Sequence, residues 1–187
     1  MAREFAEHRA KSTIGVATVR AWAQSIPKGG SILDLGCGSG VPISEALMDE
    51  GLAVYGVEAA PSLAAAFRSR FPTAPIACEA AEESALFGRT FDGALAWGLM
   101  FLLPADTQRH VIHRVARALN SGGRFLFTAP AQAFTWPDIS TGRTSVSLGA
   151  DTYKAVIAEA GLVLVSEYDD EGDNHYFDAA RPATGRV

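Results

Sequence analysis

The feature that most constrains this chain is a short apolar run that leads directly into a glycine-rich turn. Residues 31–35 predict a buried strand, and Gly36, Gly38 and Gly40 follow at alternate positions before a helical pattern over Val41 to Glu50. This order is typical of an α/β protein in which the turn opens at the carboxyl edge of a parallel sheet. The free N–H groups at the start of the helix point to the same edge. The sequence therefore predicts a ligand site at this turn.

Strands and helices alternate along the rest of the chain. Further strands are predicted at Ala53 to Val57, Ala74 to Cys78, Phe91 to Trp97, Arg124 to Thr128, Leu162 to Tyr168 and Asn174 to Ala180. Helices are predicted at Thr13 to Ser25, from Pro61 to just before Pro72, at Thr107 to Leu119, and around Tyr153 to Ala160. The alternation indicates an α/β fold with a mainly parallel sheet. An acidic turn joins the last two strands as a hairpin, so the last strand should be antiparallel.

One long stretch, Ala131 to Gly149, has no clear periodicity. Loops of that length in compact domains are commonly binding loops or lids. We therefore expect residues 131–149 to form a substrate loop.

Composition excludes several classes of function. The net charge is -5, with no cluster of Lys and Arg of the kind that binds phosphate backbones, so we expect no nucleic-acid partner. No apolar run approaches the roughly 20 residues that span a bilayer, so no membrane partner is expected either. The two cysteines lack metal-ligand spacing, and the charged N-terminus lacks a signal-peptide pattern. We expect a cytoplasmic protein without a metal.

An acidic residue, Glu58, follows the second strand. Adjacent parallel strands lie about 4.8 Å apart, so Glu58 should reach a ligand held by the glycine turn. A carboxylate there can accept both hydroxyls of a ribose, as in S-adenosylmethionine (SAM) or NAD. The third glycine of the dinucleotide fingerprint is missing, because Val41 or Ile43 stands where it would fall. This pattern favours SAM over NAD.

Asp34 to Gly40 resembles the first motif of the class I SAM-dependent methyltransferases, and the resemblance continues to about Thr128. Further matches are Val57 to Ser62, Glu79 to Glu82, Phe91 to Leu102 and Leu119 to Arg124. The resemblance implies a single Rossmann-like domain over residues 1–187, with a seven-stranded sheet and helices on both faces. It implies SAM as cofactor, S-adenosylhomocysteine as product and, in residues 1–12, a possible lid. Ala80 departs from the family, which often places Asp or Asn there to bind the adenine amine.

The resemblance and the predicted topology together give a set of candidate site residues. The cofactor-binding candidates are Asp34, Gly36, Cys37, Gly38, Glu58, Ala59, Ala81, Glu82 and Trp97. The substrate candidates are Met100, Phe101, Trp136 and Arg143. No catalytic residue is evident; His175 and Tyr176 are the candidates for a general base, and ordinary hairpin residues are the alternative. Asp34 either stabilises the turn or contacts the ammonium group of the cofactor, directly or through water.

Three functions follow from these observations. The first is methyl transfer from SAM to an unidentified small-molecule acceptor. The alternatives are an NAD-dependent oxidoreductase and a non-catalytic SAM-binding protein. The expected partner is a small molecule, and a monomer and a homodimer both remain open.

Overall fold

The computed structural model describes residues 13–138 and 142–184. Within these residues the strands are β1 (Ser31–Leu35), β2 (Ala53–Val57), β3 (Ile76–Ala77), β4 (Phe91–Ala96), β5 (Leu119–Thr128), β6 (Ala133–Pro137), β7 (Thr144–Leu148), β8 (Val163–Asp169) and β9 (His175–Ala180). The α-helices are α1 (Val16–Ala23), α2 (Ile43–Asp49), α3 (Pro61–Arg70), α4 (Ala105–Ala118) and α5 (Ala150–Glu159). Short 3-10 helices cover Leu86–Gly88 and Met100–Leu102. The predicted lid, residues 1–12, lies outside the described residues.

Seven strands form one sheet in the order β3-β2-β1-β4-β5-β9-β8. The β1, β2, β3, β4 and β5 strands pair in parallel, whereas β9 runs antiparallel to both of its neighbours. The predicted α/β fold with an antiparallel last strand is confirmed. The order reverses at β1 and β4, so the carboxyl ends of these two strands flank the crevice where open α/β sheets bind ligands.

Apolar side chains cover both faces of the sheet. On one face, Val111 of α4 and Tyr153 of α5 pack in the same buried cluster as Phe127. On the other, Trp22 of α1 and Leu47 of α2 belong to a second buried cluster. The expected helices on both faces are therefore present, and the sheet edge is left to the loops.

The amino edge of the sheet is closed by a carboxylate. Asp92 Oδ2 accepts a hydrogen bond from the Ser31 backbone N–H at 2.8 Å, and its Oδ1 accepts one from Asn120 Nδ2 at 2.8 Å. Asp92 thus ties β1 and β4 to the start of β5, far from the crevice. The β5 strand begins at Leu119 rather than at Arg124. Residues 120–123 are part of this strand, because the pairing of β4 with β5 changes register between Phe91 and Gly93.

Residues 131–149 differ from the expected irregular loop, because β6 and β7 pair there as an antiparallel hairpin. Long-range bonds hold the hairpin in place. Gln108 Nε2 of α4 donates to the carbonyl of Val146 at 2.9 Å, and Ser147 Oγ donates to the carbonyl of Pro130 at 2.7 Å. Residues 139–141 of this stretch lie outside the described residues. In the described ranges, no helix has the length and apolar character needed to cross a membrane.

Candidate functional site

The glycine turn is fixed to the end of the neighbouring strand. The backbone N–H groups of Gly36 and Cys37 donate to the carbonyl of Val57 at 2.8 and 3.2 Å. Gly36 has a φ of 68° and Gly38 a φ of 58°, a left-handed conformation that favours glycine. A Cβ at Gly36 would lie 3.1 Å from Leu99 Cδ1, whereas a Cβ at Gly38 would meet no atom within 4 Å. Gly38 therefore presents bare backbone to open space, and Gly36 is covered by Leu99.

Glu58 lies against this open part of the turn. Its Oε2 accepts a hydrogen bond from the Gly38 N–H at 2.9 Å, and its Oε1 accepts one from the Ala60 N–H at 2.7 Å. The residue is only 9% exposed. An ionised carboxylate has about four acceptor positions, so it can bind these two N–H groups and still accept two hydroxyls. The sequence placed Glu58 beside the turn, and the structure does the same; ribose binding by Glu58 stays a prediction.

Asp34 lies beneath the turn and is almost completely buried. Ser44 Oγ donates to its Oδ2 at 2.5 Å. Burial raises the pKa of Asp34 to about 7; the hydrogen bond from Ser44 opposes that rise, and the charge of Glu58 adds to it. A small cavity adjoins this carboxylate. It is lined by Asp34, Gly36, Cys37, Val41, Ile43 and Trp97. A cation bound beside Asp34 would supply the attraction that favours the ionised carboxylate.

Cys37 packs against Gly56 of β2, where no side chain would fit. Its Sγ would lie 2.7 Å from a Cβ added to Gly56 of β2. Burial raises the pKa of the Cys37 thiol, and the nearby Asp34 and Glu58 charges raise it further. The thiol therefore stays protonated near neutral pH, and Cys37 acts by its size.

The loop after β3 is held by an arginine that the sequence did not single out. Arg114 of α4 donates from Nη1 to the carbonyls of Ala81, at 3.2 Å, and Glu82, and from Nη2 to the carbonyl of Ser84. Ala81 is buried and Glu82 is half-buried, whereas Ala59, after β2, is exposed. The predicted adenine-lining segment is thus fixed by one guanidinium. Because its partners are backbone carbonyls, they have no sequence signature.

Trp97 is bonded to one of the two candidate bases. Its Nε1 donates to the Tyr176 hydroxyl at 2.6 Å, and that hydroxyl donates to Asp170 Oδ2 at 2.7 Å. Burial raises the pKa of Tyr176. A Cβ at Gly15, just before α1, would lie 2.7 Å from the same hydroxyl. The tyrosine hydroxyl therefore links three segments at the carboxyl edge and is held protonated.

The other candidate base, His175, lies on the opposite face of β9, because successive side chains in a strand alternate. Its Nδ1 lies 2.7 Å from Asp169 Oδ1, and its ring packs edge-on against Phe177 at 4.9 Å. Its Nε2 is buried without a hydrogen-bond partner among the described residues and lies 3.9 Å from Glu167 Oε2. The two candidates therefore face different parts of the molecule. A general-base role stays a prediction for either residue.

The predicted substrate residues lie on two neighbouring segments. Met100 is fully buried in the core, whereas Phe101 is half-buried and its ring lies 5.7 Å from that of Trp136 on β6. Trp136 in turn stacks on Phe134 at 4.6 Å. Arg143 is exposed just before β7, and its carbonyl accepts from the Asp138 N–H at 2.8 Å. Phe134 was missed because an exposed aromatic in an aperiodic stretch has no distinctive pattern.

Comparison with known proteins shows which protein family the sequence resembles. The family model described as "Methyltransferase domain" matches residues 32–123, which include the glycine turn, Glu58 and Trp97. Over these residues the chain matches a methyltransferase domain, the enzyme family that the glycine turn and Glu58 predicted. The expected enzyme class, a methyltransferase, is thereby confirmed, and the oxidoreductase alternative is not supported. No curated protein matches the sequence.

Solved structures share the fold of this methyltransferase at low sequence identity. A TehB-like SAM-dependent methyltransferase from Corynebacterium glutamicum is 21% identical, with a TM-score of 0.76 and 97% of each chain covered. CalS10, an amino pentose methyltransferase from Micromonospora echinaspora with bound SAM, is 18% identical, with a TM-score of 0.73 and coverage of 95% of this chain and 96% of that one. A 1,6-didemethyltoxoflavin-N1-methyltransferase from Burkholderia thailandensis is 18% identical, with a TM-score of 0.72 and coverage of 91% and 77%.

Among residues 13–138 and 142–184, no group of three or more His, Cys, Asp and Glu side chains is placed to hold a metal ion. The charged groups nearest to the crevice are the carboxylates of Asp34 and Glu58, which suit a cationic ligand with a diol.

Proposed function

We propose that this methyltransferase binds SAM between the glycine turn and Glu58 and transfers the methyl group to a small-molecule acceptor. The observation that carries the proposal is the 2.9 Å hydrogen bond from the Gly38 N–H to Glu58 Oε2. It brings a carboxylate and bare backbone together at the carboxyl ends of β1 and β2. The open space beside Gly38 supports the fit of the cofactor.

Each part of the cofactor has a candidate partner in this arrangement. The Asp34 carboxylate suits the ammonium group of the methionine part, because burial raises its pKa and a bound cation would favour its ionised form. Glu58 suits the ribose hydroxyls. Ala59, Ala81 and Glu82 belong to the segments that would enclose the adenine, and Trp97 closes the crevice from the side of β4.

The chain has to position the reactants and exclude water. When bound, SAM supplies an activated methyl group, whose bond to sulfur breaks as the acceptor forms its new bond to carbon, leaving S-adenosylhomocysteine. Leu99 covers Gly36 at the end of β4 and so keeps water from this side of the turn. A good nucleophile needs no general base; for an acceptor that must lose a proton, His175 and Tyr176 stay the candidates.

The acceptor is proposed to be a free small molecule. Two of the similar structures are, by name, methyltransferases of an amino pentose and of 1,6-didemethyltoxoflavin. Residues 131–149 are proposed to cover the acceptor, which is the role expected of them from the sequence. As expected from the sequence, we propose a cytoplasmic location and no nucleic-acid or membrane partner. The protein is proposed to be a monomer or a homodimer.

The proposal is tested in two steps. Calorimetry should show SAM binding and no comparable binding of NAD. Mass spectrometry should then detect S-adenosylhomocysteine when the protein is incubated with SAM and a panel of small acceptors. Binding of SAM with no product from any acceptor would favour the non-catalytic alternative.

The raised pKa of Asp34 predicts a pH-dependent affinity for SAM. If the ammonium group binds the ionised carboxylate, affinity should fall as pH drops through about 7, where Asp34 becomes protonated in the free protein. Between about pH 7.5 and about pH 5.5 we expect a loss of roughly 20-fold, by calorimetry at each pH. The folded-state pKa lies above the unfolded value of 3.8, so Asp34 destabilises the free protein most above pH 7, and this penalty decreases steadily as pH falls from about 7 to 3.8.

An Asp34→Asn variant provides the control for this effect. Asparagine keeps the shape of the side chain and cannot titrate, so its affinity for SAM should be low and nearly constant over the same pH range. A pH dependence that persists in Asp34→Asn would assign the effect to another group.

The bonds from Arg114 predict that this residue positions the adenine-lining segment. An Arg114→Met variant leaves the carbonyls of Ala81, Glu82 and Ser84 without their charged donor, so the loop should be less ordered. We expect the affinity for S-adenosylhomocysteine to fall about tenfold, as measured by calorimetry. The preference of the protein for S-adenosylhomocysteine over S-inosylhomocysteine should also be smaller in the variant than in the wild type. Arg117→Met, one turn later on α4 and exposed, is the matched control. Equal losses in both variants would contradict a specific role for Arg114.

A further inference from the structure

Three aromatic rings lie in a row at the carboxyl edge of the sheet. The ring of Phe101 is tilted by 37° against that of Trp136, and the ring of Trp136 is stacked at 28° against that of Phe134. Phe134 is the outermost ring and is 45% exposed, which makes it one of the large apolar side chains that the fold leaves open to solvent. We call these three residues the aromatic shelf.

The shelf lies on the face of the β6–β7 hairpin that is turned toward the body of the protein. Trp136 pairs with Ser145, and Phe134 pairs with Ser147, so these side chains share one face of the hairpin. Both serines are buried, and Ser147 Oγ donates to the carbonyl of Pro130 at the end of β5. The rings therefore extend along a surface that continues from the sheet edge, with Phe134 exposed at its outer end.

The shelf is continuous with the cofactor turn. Leu99 lies 3.1 Å from the Cβ position of Gly36, and Phe101 follows two residues later in the same segment after β4. Phe101 then contacts Trp136 across to the hairpin. The segment 99–101 thus reaches the turn, where the methyl donor is proposed to bind, through Leu99, and the aromatic shelf through Phe101.

We propose that the aromatic shelf selects the acceptor, and that the acceptor is a planar aromatic small molecule stacked on these rings. The inference rests on the proposed methyl transfer and adds the substrate class. Aromatic rings prefer offset-stacked partners, and the nearly parallel arrangement of Trp136 and Phe134 continues naturally into a third flat ring. A flat acceptor held here carries its nucleophilic oxygen or nitrogen toward Leu99 and the turn.

The test uses phenol and cyclohexanol as probes, since they share a hydroxyl and differ in ring planarity. The chain contains three tryptophans, Trp22, Trp97 and Trp136, so protein labelled with 5-fluorotryptophan gives resolved fluorine NMR signals, and a Trp136→Leu variant identifies the signal of Trp136. Phenol should move the Trp136 signal in a saturable titration, with an affinity at least about tenfold above that of cyclohexanol. Phe134→Leu should reduce this ratio to near one.

Phe87→Leu is the matched control, because Phe87 packs on Tyr55 away from the hairpin. It should keep the preference for phenol. Titrations with and without S-adenosylhomocysteine separate the two proposals: failure of the protein to bind the nucleoside contradicts the methyl-transfer site, whatever the shelf does. An unmoved Trp136 signal, equal binding of phenol and cyclohexanol, or loss of the preference in Phe87→Leu overturns the shelf proposal.

Discussion

Gly38→Leu is expected to weaken SAM binding severely while the protein stays folded. A Cβ at Gly38 meets no protein atom within 4 Å, so the new side chain fills the space that the cofactor would use. Overlap of this kind costs several kcal/mol, and we expect an affinity loss of roughly a hundredfold or more by calorimetry. The left-handed backbone at Gly38, with φ of 58°, adds a folding cost of about 1–2 kcal/mol.

Gly51→Leu separates the two effects of this change. Gly51, after α2, also has a positive φ, of 81°, and a Cβ there also meets no atom within 4 Å. It should therefore lower the melting temperature as much as Gly38→Leu does and leave SAM affinity unchanged. Tight SAM binding by Gly38→Leu would remove the turn from the cofactor site.

Replacing Glu58 by alanine is the second change with a large expected effect. The variant loses the acceptor proposed for two ribose hydroxyls and leaves the Gly38 and Ala60 N–H groups without their present partner. Hydrogen bonds to a charged group contribute about 1.5–3 kcal/mol each, so SAM affinity should fall roughly a hundredfold or more. Calorimetry with SAM measures the loss, and circular dichroism checks that the variant is folded.

Two variants control for Glu58→Ala. Glu83→Ala removes an exposed carboxylate from the loop after β3 and should bind SAM normally. Glu58→Gln keeps the side-chain shape but loses the charge, so it should bind with intermediate affinity. Wild-type affinity in Glu58→Ala would show that the carboxylate does not hold the ribose.

The turn and Glu58 could be placed from the sequence because both follow from local rules. A strand, glycines and a helix in succession fix the turn, and parallel pairing brings the end of β2 beside it. The same reasoning predicted the antiparallel β9 from the acidic turn before it. These features depend on short segments and on the regular spacing of strands.

The hairpin and Arg114 could not be predicted in this way, because both depend on distant partners. β6 and β7 have five residues each, and β7 is anchored by Gln108, which lies 38 residues before its partner Val146. Arg114 is one of several basic residues on the polar side of α4 and binds only backbone carbonyls. Side-chain patterns cannot show which carbonyls a helix will meet after folding.

The path of the chain before α1 affects how this enzyme should be attached to other molecules. Gly15 passes over the hydroxyl of Tyr176, and its N–H donates to Glu171, so this end leaves the fold at the edge where SAM is proposed to bind. Thr184 instead bonds to Ser121 at the opposite edge. A fusion partner or surface linker added beyond residue 184 should leave access to the crevice free, whereas one added before residue 13 would be tethered beside it.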